Sequence, residues 1–138
     1  MNNYTFTIIK PCVIRSGHLG AILNDIQKGG FEISAMKLIR LTHEQAEAFY
    51  SVHRGQPFYE PLIQFMISGP VVVAILKREN AVEEYRKLIG ATNPEHAASG
   101  TIRKKYATNT RENAVHGSDS NENAAIESNF FFSQCERY

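Results

Sequence analysis

One short segment of the chain combines a histidine with glycine and small polar residues, a composition suited to the chemistry of anions. It reads Asn113-Ala114-Val115-His116-Gly117-Ser118-Asp119-Ser120. His116 stands at the end of a predicted strand, and a predicted helix begins soon afterwards at Ser120. Glycine lets a ligand approach the backbone closely, and the free amide groups at a helix start favour anions. The segment therefore predicts a histidine that meets an anionic ligand.

Imidazole suits phosphoryl relay because its neutral ring is nucleophilic near neutral pH. Attack requires one ring nitrogen without a proton, while a partner residue holds the other nitrogen. Glu127, about two to three turns into the following helix, is the candidate partner. From the residues alone two interpretations stay open. His116 is either a nucleophile or a structural histidine before a helix cap, with Glu127 as a solvated helix residue.

Several cations fall at the ends of predicted elements or in a long irregular segment, where they could bind phosphate oxygens. Together with one threonine they are Lys10, Arg86, Thr92 and Arg103. Phe58, directly after Gln56-Pro57, could stack on a nucleotide base. Taken singly, each of these residues is also compatible with an ordinary role as a surface charge or a packed side chain.

The composition argues against several classes of protein. The formal net charge is +1, so no global field attracts nucleic acid or an anionic membrane. The longest apolar run, residues 71–76, is too short to cross a bilayer. The sequence has no P-loop, no dinucleotide-binding glycine fingerprint and no Cys/His spacing typical of zinc. An anion site must therefore be a local cluster, suited to a small phosphorylated ligand.

Apolar periodicity and turn residues predict the strands and helices that would position these side chains. Strands are predicted over residues 4–9, 31–41 and 71–76, and near Ala114-Val115. Helices are predicted over residues 19–26, 42–53, 62–66, 80–89 and 120–132. The strand at 71–76 is apolar throughout, as expected when both faces of a sheet are covered.

Two details of these elements are specific enough to be checked. Thr42 with Gln45, and Asn80 with Glu83, have the spacing of capping boxes at helix starts. The apolar residues of the second strand alternate, which predicts one shared face interrupted only by Lys37. These residues are Phe31, Ile33, Ala35, Ile39 and Leu41.

The order of the elements predicts an α+β fold. A strand, a helix and a strand are followed by two extra helices, a strand, a helix, a long loop at about residues 90–112, and a last strand and helix. Without the extra helices this is the ferredoxin-like βαββαβ plan, a four-stranded antiparallel sheet covered by helices. The 138 residues fit one domain, 1–138.

The segment around His116 resembles the signature of nucleoside diphosphate kinases. Five further segments match that family in the same order, so the similarity covers nearly the whole chain. They are residues 5–11, 57–59, 68–72, 90–94 and 100–103. The ferredoxin-like plan is also that family's fold. Because the chain stops at Tyr138, short of the longer tail of many eukaryotic members, it looks most like a bacterial member.

The resemblance implies a kinase that passes the γ-phosphoryl group of a nucleoside triphosphate, chiefly ATP, to a nucleoside diphosphate. His116 would carry the group on its δ nitrogen in a ping-pong mechanism. Glu127 would orient the ring, with Ser118 as a hydrogen-bonding partner nearby. Lys10 and Asn113 would contact the sugar hydroxyls, and Lys10 would also lie close to the transferred phosphate. The phosphates would be held by Arg86, Thr92 and Arg103. Phe58 would stack on the base, and Tyr50 would line the site.

The resemblance also implies the partners of the chain. Magnesium would bridge the nucleotide phosphates and be bound chiefly by them, with no protein metal cage. Ribo- and deoxyribonucleotides would both be substrates, and the protein would form a homo-oligomer, a tetramer or hexamer built from dimers. Cys12 departs from the family, which usually has Asp or Asn there. A cytoplasmic location with free thiols is expected, and the alternative function is a catalytically weak nucleotide-binding or regulatory protein of the same fold.

Overall fold

The computed structural model describes residues 3–138, and within them four strands form one antiparallel sheet. The strands are β1 (Tyr4–Ile9), β2 (Glu32–Ile39), β3 (Val71–Lys77) and β4 (Val115–Gly117). Their order across the sheet is β2-β3-β1-β4, and every neighbouring pair is antiparallel. This order is that of the ferredoxin-like plan, so the predicted fold class is confirmed.

The helices cover the sheet and connect its strands. They are α1 (Pro11–Ser16), α2 (Leu19–Lys28), α3 (His43–Phe49), α4 (Tyr59–Met66), α5 (Ala81–Ile89), α6 (Ile102–Tyr106) and α7 (Asn121–Phe131). Short 3-10 turns occupy Ser51–His53, Pro94–His96 and Gln134–Glu136. None of the helices found in residues 3–138 is long and apolar enough to cross a membrane.

Two of these helices were not expected from the sequence. Helix α1 directly follows Lys10, with Pro11 in its first turn, and it ends at Gly17 in the left-handed conformation. Helix α6 lies inside the segment predicted as a long loop, and the Thr101 side chain caps it by accepting from the Lys104 amide. Each is shorter than two turns, which is too short for apolar periodicity to show.

Core residues lie on both faces of the sheet. Alternate β3 residues Val72, Ala74 and Leu76 join the cluster that includes α2 and α5. Their neighbours Val71, Val73 and Ile75 join the cluster that includes α3 and α4. All six of these β3 residues are buried, so the prediction of a strand covered on both faces is confirmed.

The prediction that the apolar residues of the second strand share one face is wrong. Ile33 pairs with Leu76, whereas Ala35 pairs with Ile75, so Ser34 is an extra residue in β2. Since this bulge shifts the alternation by one residue, Ile33 packs on the cluster of α2 and α5. Ala35 packs on the opposite face with α3 and α4. The residues on either side of the bulge follow the same division: Phe31 in the first cluster, Ile39 and Leu41 in the second.

One predicted capping box is present and the other is wrong. The Thr42 side chain accepts from the Gln45 amide, and the Gln45 side chain accepts from the Thr42 amide. Asn80 instead has a left-handed backbone with φ 55°, and its side-chain Nδ2 donates to Glu83 Oε2 at 2.9 Å. In that conformation no side-chain oxygen of Asn80 accepts from the helix start.

Candidate active site

Strand β4 and helix α7 bring His116 and Glu127 together. His116 is half-buried, and its Nε2 lies 3.0 Å from Glu127 Oε1. A carboxylate only accepts, so the geometry favours the tautomer that carries its proton on Nε2. The other ring nitrogen, Nδ1, makes no hydrogen bond within residues 3–138. The arrangement leaves the Nδ1 lone pair available to an electrophile.

The Glu127 carboxylate is itself fixed by Ser118. The Ser118 hydroxyl is fully buried and donates to Glu127 Oε1 at 2.5 Å. The same carboxylate oxygen faces Nε2 of His116, so one oxygen serves both groups. Helix α7, which carries Glu127, begins where the Ser120 side chain accepts from the Asn123 amide. The imidazole, the carboxylate and the hydroxyl therefore form one connected unit.

Aromatic rings pack around the imidazole. Phe49 meets the His116 ring edge-on, with centroids 5.5 Å apart, and Phe6 lies at 6.2 Å. Phe49 also contacts Phe131 on α7. These contacts restrict the rotation of the imidazole. No pattern in the sequence indicates this contact of Phe49, because at helical spacing the residue looks like any core residue.

Lys10 and Asn113 lie on adjacent chain segments and bind each other. Lys10 Nζ donates to Asn113 Oδ1 at 2.7 Å, and Asn113 Nδ2 donates to the Thr92 carbonyl at 3.3 Å. Both Lys10 and Asn113 are buried. Burial, with a smaller effect from the charge of Arg103, lowers the pKa of Lys10 to about 8. The Thr92 side chain is exposed beside them.

Arg103 ties the start of the irregular segment to β4. Its guanidinium donates to the carbonyls of Gly90 and Val115 at 2.9 Å each, and to that of Asn113 at 3.3 Å. Burial lowers the pKa of Arg103, and the positive charge of Arg86 lowers it further. Arg86 is exposed on α5, and its guanidinium has no hydrogen-bond or ion-pair partner among the described residues.

Lys10, Arg86 and Arg103 form what we call the cation cluster. These residues are far apart in the sequence, yet the charge of Arg103 acts on Lys10, and that of Arg86 acts on Arg103. Three like charges held close together repel one another, and a bound anion would relieve that repulsion. Such a cluster suits a polyanion such as a phosphate chain.

A strained turn separates Asn113 from the strand of His116. Ala114 is fully buried and has φ 74°, a conformation that non-glycine residues rarely adopt. The Val115 amide donates to the Asn113 carbonyl at 2.9 Å, which closes a γ-turn. Such strain persists only where the surroundings enforce it. Here the turn directs Asn113 toward Lys10 and His116 toward Glu127.

Phe58 and Tyr50 lie along a short row of rings. Phe58 is 46% exposed, directly before α4, and contacts His53 with centroids 5.2 Å apart. His53 in turn lies 6.3 Å from the Tyr50 ring. The Tyr50 hydroxyl is buried without a hydrogen-bond partner within residues 3–138. Burial raises its pKa, as does the charge of Glu127, so it stays a neutral donor.

These features define a class of protein. An imidazole with one nitrogen held and the other free, a cluster of cations and an exposed aromatic ring together suit phosphoryl transfer involving nucleotides. The ferredoxin-like fold alone would not identify such a function.

Comparison with known proteins identifies the family. The family model described as nucleoside diphosphate kinase matches residues 3–137. A nucleoside diphosphate kinase of Flavobacterium psychrophilum is 58% identical over 136 residues, covering 99% of this chain and 98% of that protein. Another, from Lawsonia intracellularis, is 56% identical over 134 residues, covering 97% of each.

Solved structures agree with this. The Aquifex aeolicus nucleoside diphosphate kinase has a TM-score of 0.96 at 43% identity, covering 99% of both chains. That of Halobacterium salinarum, solved in complex with CDP, has a TM-score of 0.95 at 31% identity, covering 100% of this chain and 92% of that one. The chain belongs to the nucleoside diphosphate kinase family, and it is an enzyme that transfers phosphoryl groups between nucleotides.

Proposed function

We propose that the chain moves the γ-phosphoryl group of a nucleoside triphosphate, chiefly ATP, to a nucleoside diphosphate through a phosphohistidine on His116. The observation that carries this proposal is the pairing of His116 Nε2 with Glu127 at 3.0 Å, which leaves Nδ1 without a partner among residues 3–138. Residues 1–138 would act as one domain. One site serving both nucleotides in turn predicts ping-pong kinetics.

No proton has to leave the imidazole ring during the transfer. The Nδ1 lone pair attacks the γ-phosphorus, and the bond from that phosphorus to the bridging oxygen breaks. The electron pair leaves with the nucleoside diphosphate. The ring then carries a positive charge with its proton still on Nε2, and the Glu127 carboxylate stabilises that charge. An incoming diphosphate reverses the sequence with its terminal oxygen as nucleophile.

The cation cluster would hold the phosphates in line with Nδ1. Arg86, whose guanidinium has no partner among residues 3–138, would bind phosphate oxygens directly. Because the Arg103 guanidinium already donates to three carbonyls, it would stabilise the phosphates by its charge as much as by hydrogen bonds. Thr92 would add a hydroxyl to this phosphate site. Lys10 and Asn113 would meet the sugar hydroxyls, with Lys10 also close to the transferred phosphate, and Tyr50 would line the site as a neutral hydroxyl.

We propose that Mg²⁺ reaches the site on the nucleotide. The side chains around His116 are mostly cationic or neutral, and no three His, Cys, Asp or Glu side chains in residues 3–138 group as metal ligands. Such a lining fits phosphate oxygens as the main ligands of the ion. When bound, the ion supplies charge neutralisation across the phosphates.

The proposal extends to the partners of the chain. The CDP complex of the Halobacterium salinarum protein supports ribonucleotides as ligands. That deoxyribonucleotides are also substrates is part of the proposal. Met36 and Leu38 on the edge strand β2 are 49% and 65% exposed, which supports self-association into a dimer. A tetramer or hexamer built from such dimers, located in the cytoplasm, remains a prediction.

Intact-mass measurement tests the function. After brief incubation with magnesium and ATP, the wild type should gain one phosphoryl group that is stable in base and lost in acid. His116→Ala should gain none. His43→Ala is the matched control, because His43 forms an exposed pair with Glu47 at 3.1 Å and should not affect labelling. An unlabelled wild type would instead support the alternative, a catalytically weak nucleotide-binding protein.

Phe58 should contribute to the binding of every nucleotide. A ring stacks on any base without reading its edge, so Phe58→Ala should weaken adenine, guanine and cytosine nucleotides alike, by about 1–3 kcal/mol. Calorimetric titration measures this. Phe58→Tyr keeps the ring and should bind within about twofold of wild type. A loss confined to one base would contradict stacking.

A further inference from the structure

A chain of buried hydrogen bonds outside the proposed machinery ends at the backbone of His116. Thr7 lies on β1 with no exposed surface. Its Oγ1 donates to the His116 carbonyl at 2.7 Å and lies 2.7 Å from the Tyr85 hydroxyl. A threonine hydroxyl has one proton, and a carbonyl can only accept. Tyr85 must therefore donate to Thr7, so the chain of donors runs in one direction toward His116.

Tyr85 also touches the next residue of β4. A Cβ added to Gly117 would lie 3.1 Å from Cδ2 of the Tyr85 ring, closer than ordinary van der Waals contact. The peptide that joins His116 to Gly117 is therefore restrained twice, by a hydrogen bond through Thr7 and by the ring of Tyr85. Burial raises the pKa of the Tyr85 hydroxyl, which keeps it protonated and able to donate.

Strand β4 needs such restraint because it is short and lies at the edge of the sheet. It has three residues, and in the part of the chain that the structure describes it pairs only with β1. On its N-terminal side the guanidinium of Arg103 binds the Val115 carbonyl. On the side of Gly117, Tyr85 and Thr7 supply the corresponding support. Since Tyr85 precedes Arg86 on α5, one helix carries both this support and a member of the cation cluster.

Building on the proposed function, we propose that Tyr85 and Thr7 are positioning residues for phosphoryl transfer. Their hydrogen bonds fix the His116 peptide relative to α5, and thereby fix the imidazole relative to the phosphates that Arg86 would bind. In-line transfer is sensitive to displacements of the reacting atoms by a fraction of an ångström. Neither side chain needs to touch the nucleotide for this effect.

Variants of Tyr85 and Thr7 that lack the hydroxyl group test this chain of hydrogen bonds. Tyr85→Phe and Thr7→Val should each slow phosphohistidine formation in single turnover about tenfold, with KM for the nucleotide within about twofold of wild type. Thr7→Ser keeps the hydroxyl and should restore most of the rate. The double variant should be no slower than the slower single variant, because both changes break one chain.

Tyr59→Phe is the matched control. Tyr59 is also buried, but it belongs to the opposite face of the sheet, and its hydroxyl reaches the Glu47 carbonyl at 3.5 Å. It should keep the wild-type rate. Lower stability of Tyr85→Phe or Thr7→Val with an unchanged rate would overturn the proposal, as would additive losses in the double variant.

A second measurement distinguishes an error in the role proposed for Tyr85 and Thr7 from an error in the proposed function. A wild type that forms no phosphohistidine would refute the function. The restraint on the peptide is then measured by amide hydrogen exchange at Ser118, whose amide donates to the Phe6 carbonyl at 3.2 Å at the end of β4. Faster exchange in Tyr85→Phe than in Tyr59→Phe supports the positioning role of the hydrogen-bond chain, and equal exchange overturns it.

Discussion

Replacing His116 with alanine should lower the rate of phosphoryl exchange between nucleotides by more than about 10⁴-fold. The expected loss is this large because alanine removes the atom that would carry the phosphoryl group, and the remaining hydroxyl and amine groups of the proposed site have other roles there. We expect no replacement by Glu127, because its Oε1 accepts from Ser118 at 2.5 Å and lies on the Nε2 side of the imidazole, away from Nδ1. A coupled assay with ATP and a second nucleoside diphosphate measures the exchange.

The control for this substitution is a histidine in a similar pair elsewhere. His43→Ala removes an imidazole that lies 3.1 Å from Glu47 on an exposed helix face, and it should keep the exchange rate. Circular dichroism should show both variants folded, because His116 is only half-buried. Residual exchange in His116→Ala within about tenfold of wild type would remove the histidine from the mechanism.

Replacing Lys10 with methionine should stabilise the protein and nearly abolish its activity. Lys10 is buried beside Arg103, and its pKa is lowered from 10.5 to about 8. Below pH 8 the amine is charged in both the folded and the unfolded state, so the folded state carries the full cost of burying the charge. That cost is up to about 3 kcal/mol, less about 1 for the hydrogen bond to Asn113 that methionine cannot make.

The sign of the pH dependence follows from the same pKa values. Between pH 8 and 10.5 the folded protein loses the proton of Lys10 while the unfolded chain keeps it, so the wild type becomes more stable. The advantage of Lys10→Met, about 2 kcal/mol at pH 7, should therefore fall through zero between pH 8 and 10.5 and become a disadvantage of about 1 kcal/mol, the lost hydrogen bond to Asn113, near pH 10.5. Urea unfolding at several pH values measures it. An advantage that stays constant across this range would contradict the assignment.

The activity of Lys10→Met should fall about 10²- to 10³-fold, because a cation beside the transferred phosphate is lost. The matched control is Lys105→Met, which removes an exposed lysine paired with Asp25 at 2.6 Å. That variant should change activity by less than about twofold and should not be stabilised. Stabilisation without loss of exchange in Lys10→Met would separate this residue from catalysis.

The sequence was sufficient to predict the part of the site that one continuous stretch of chain forms. The turn from His116 to Ser120 and the helix that follows lie within one stretch of chain, so spacing alone placed Glu127 about two turns beyond a helix cap. Sequence patterning also predicted β3, because six consecutive buried residues leave few alternatives to a central strand.

Contacts distant in sequence account for what the sequence could not show. The bulge at Ser34 depends on register against β3, and Ser34 also binds the backbone of Tyr138. The meeting of Lys10 with Asn113, and of Thr7 with Tyr85, depends on strand order rather than on any local pattern. The roles of the individual site residues remain predictions, because the identification of the family and the fold does not depend on those roles.

The three carbonyls bound by Arg103 have a consequence for surveys of sequence variants. Lysine has no planar fork that could reach the oxygens of Gly90, Asn113 and Val115 together. We therefore expect substitutions at this position to reduce the cellular abundance of the protein, in addition to any effect on turnover per molecule. A growth-based screen will therefore overstate the catalytic weight of Arg103 unless each variant's activity is normalised to the amount of folded protein present.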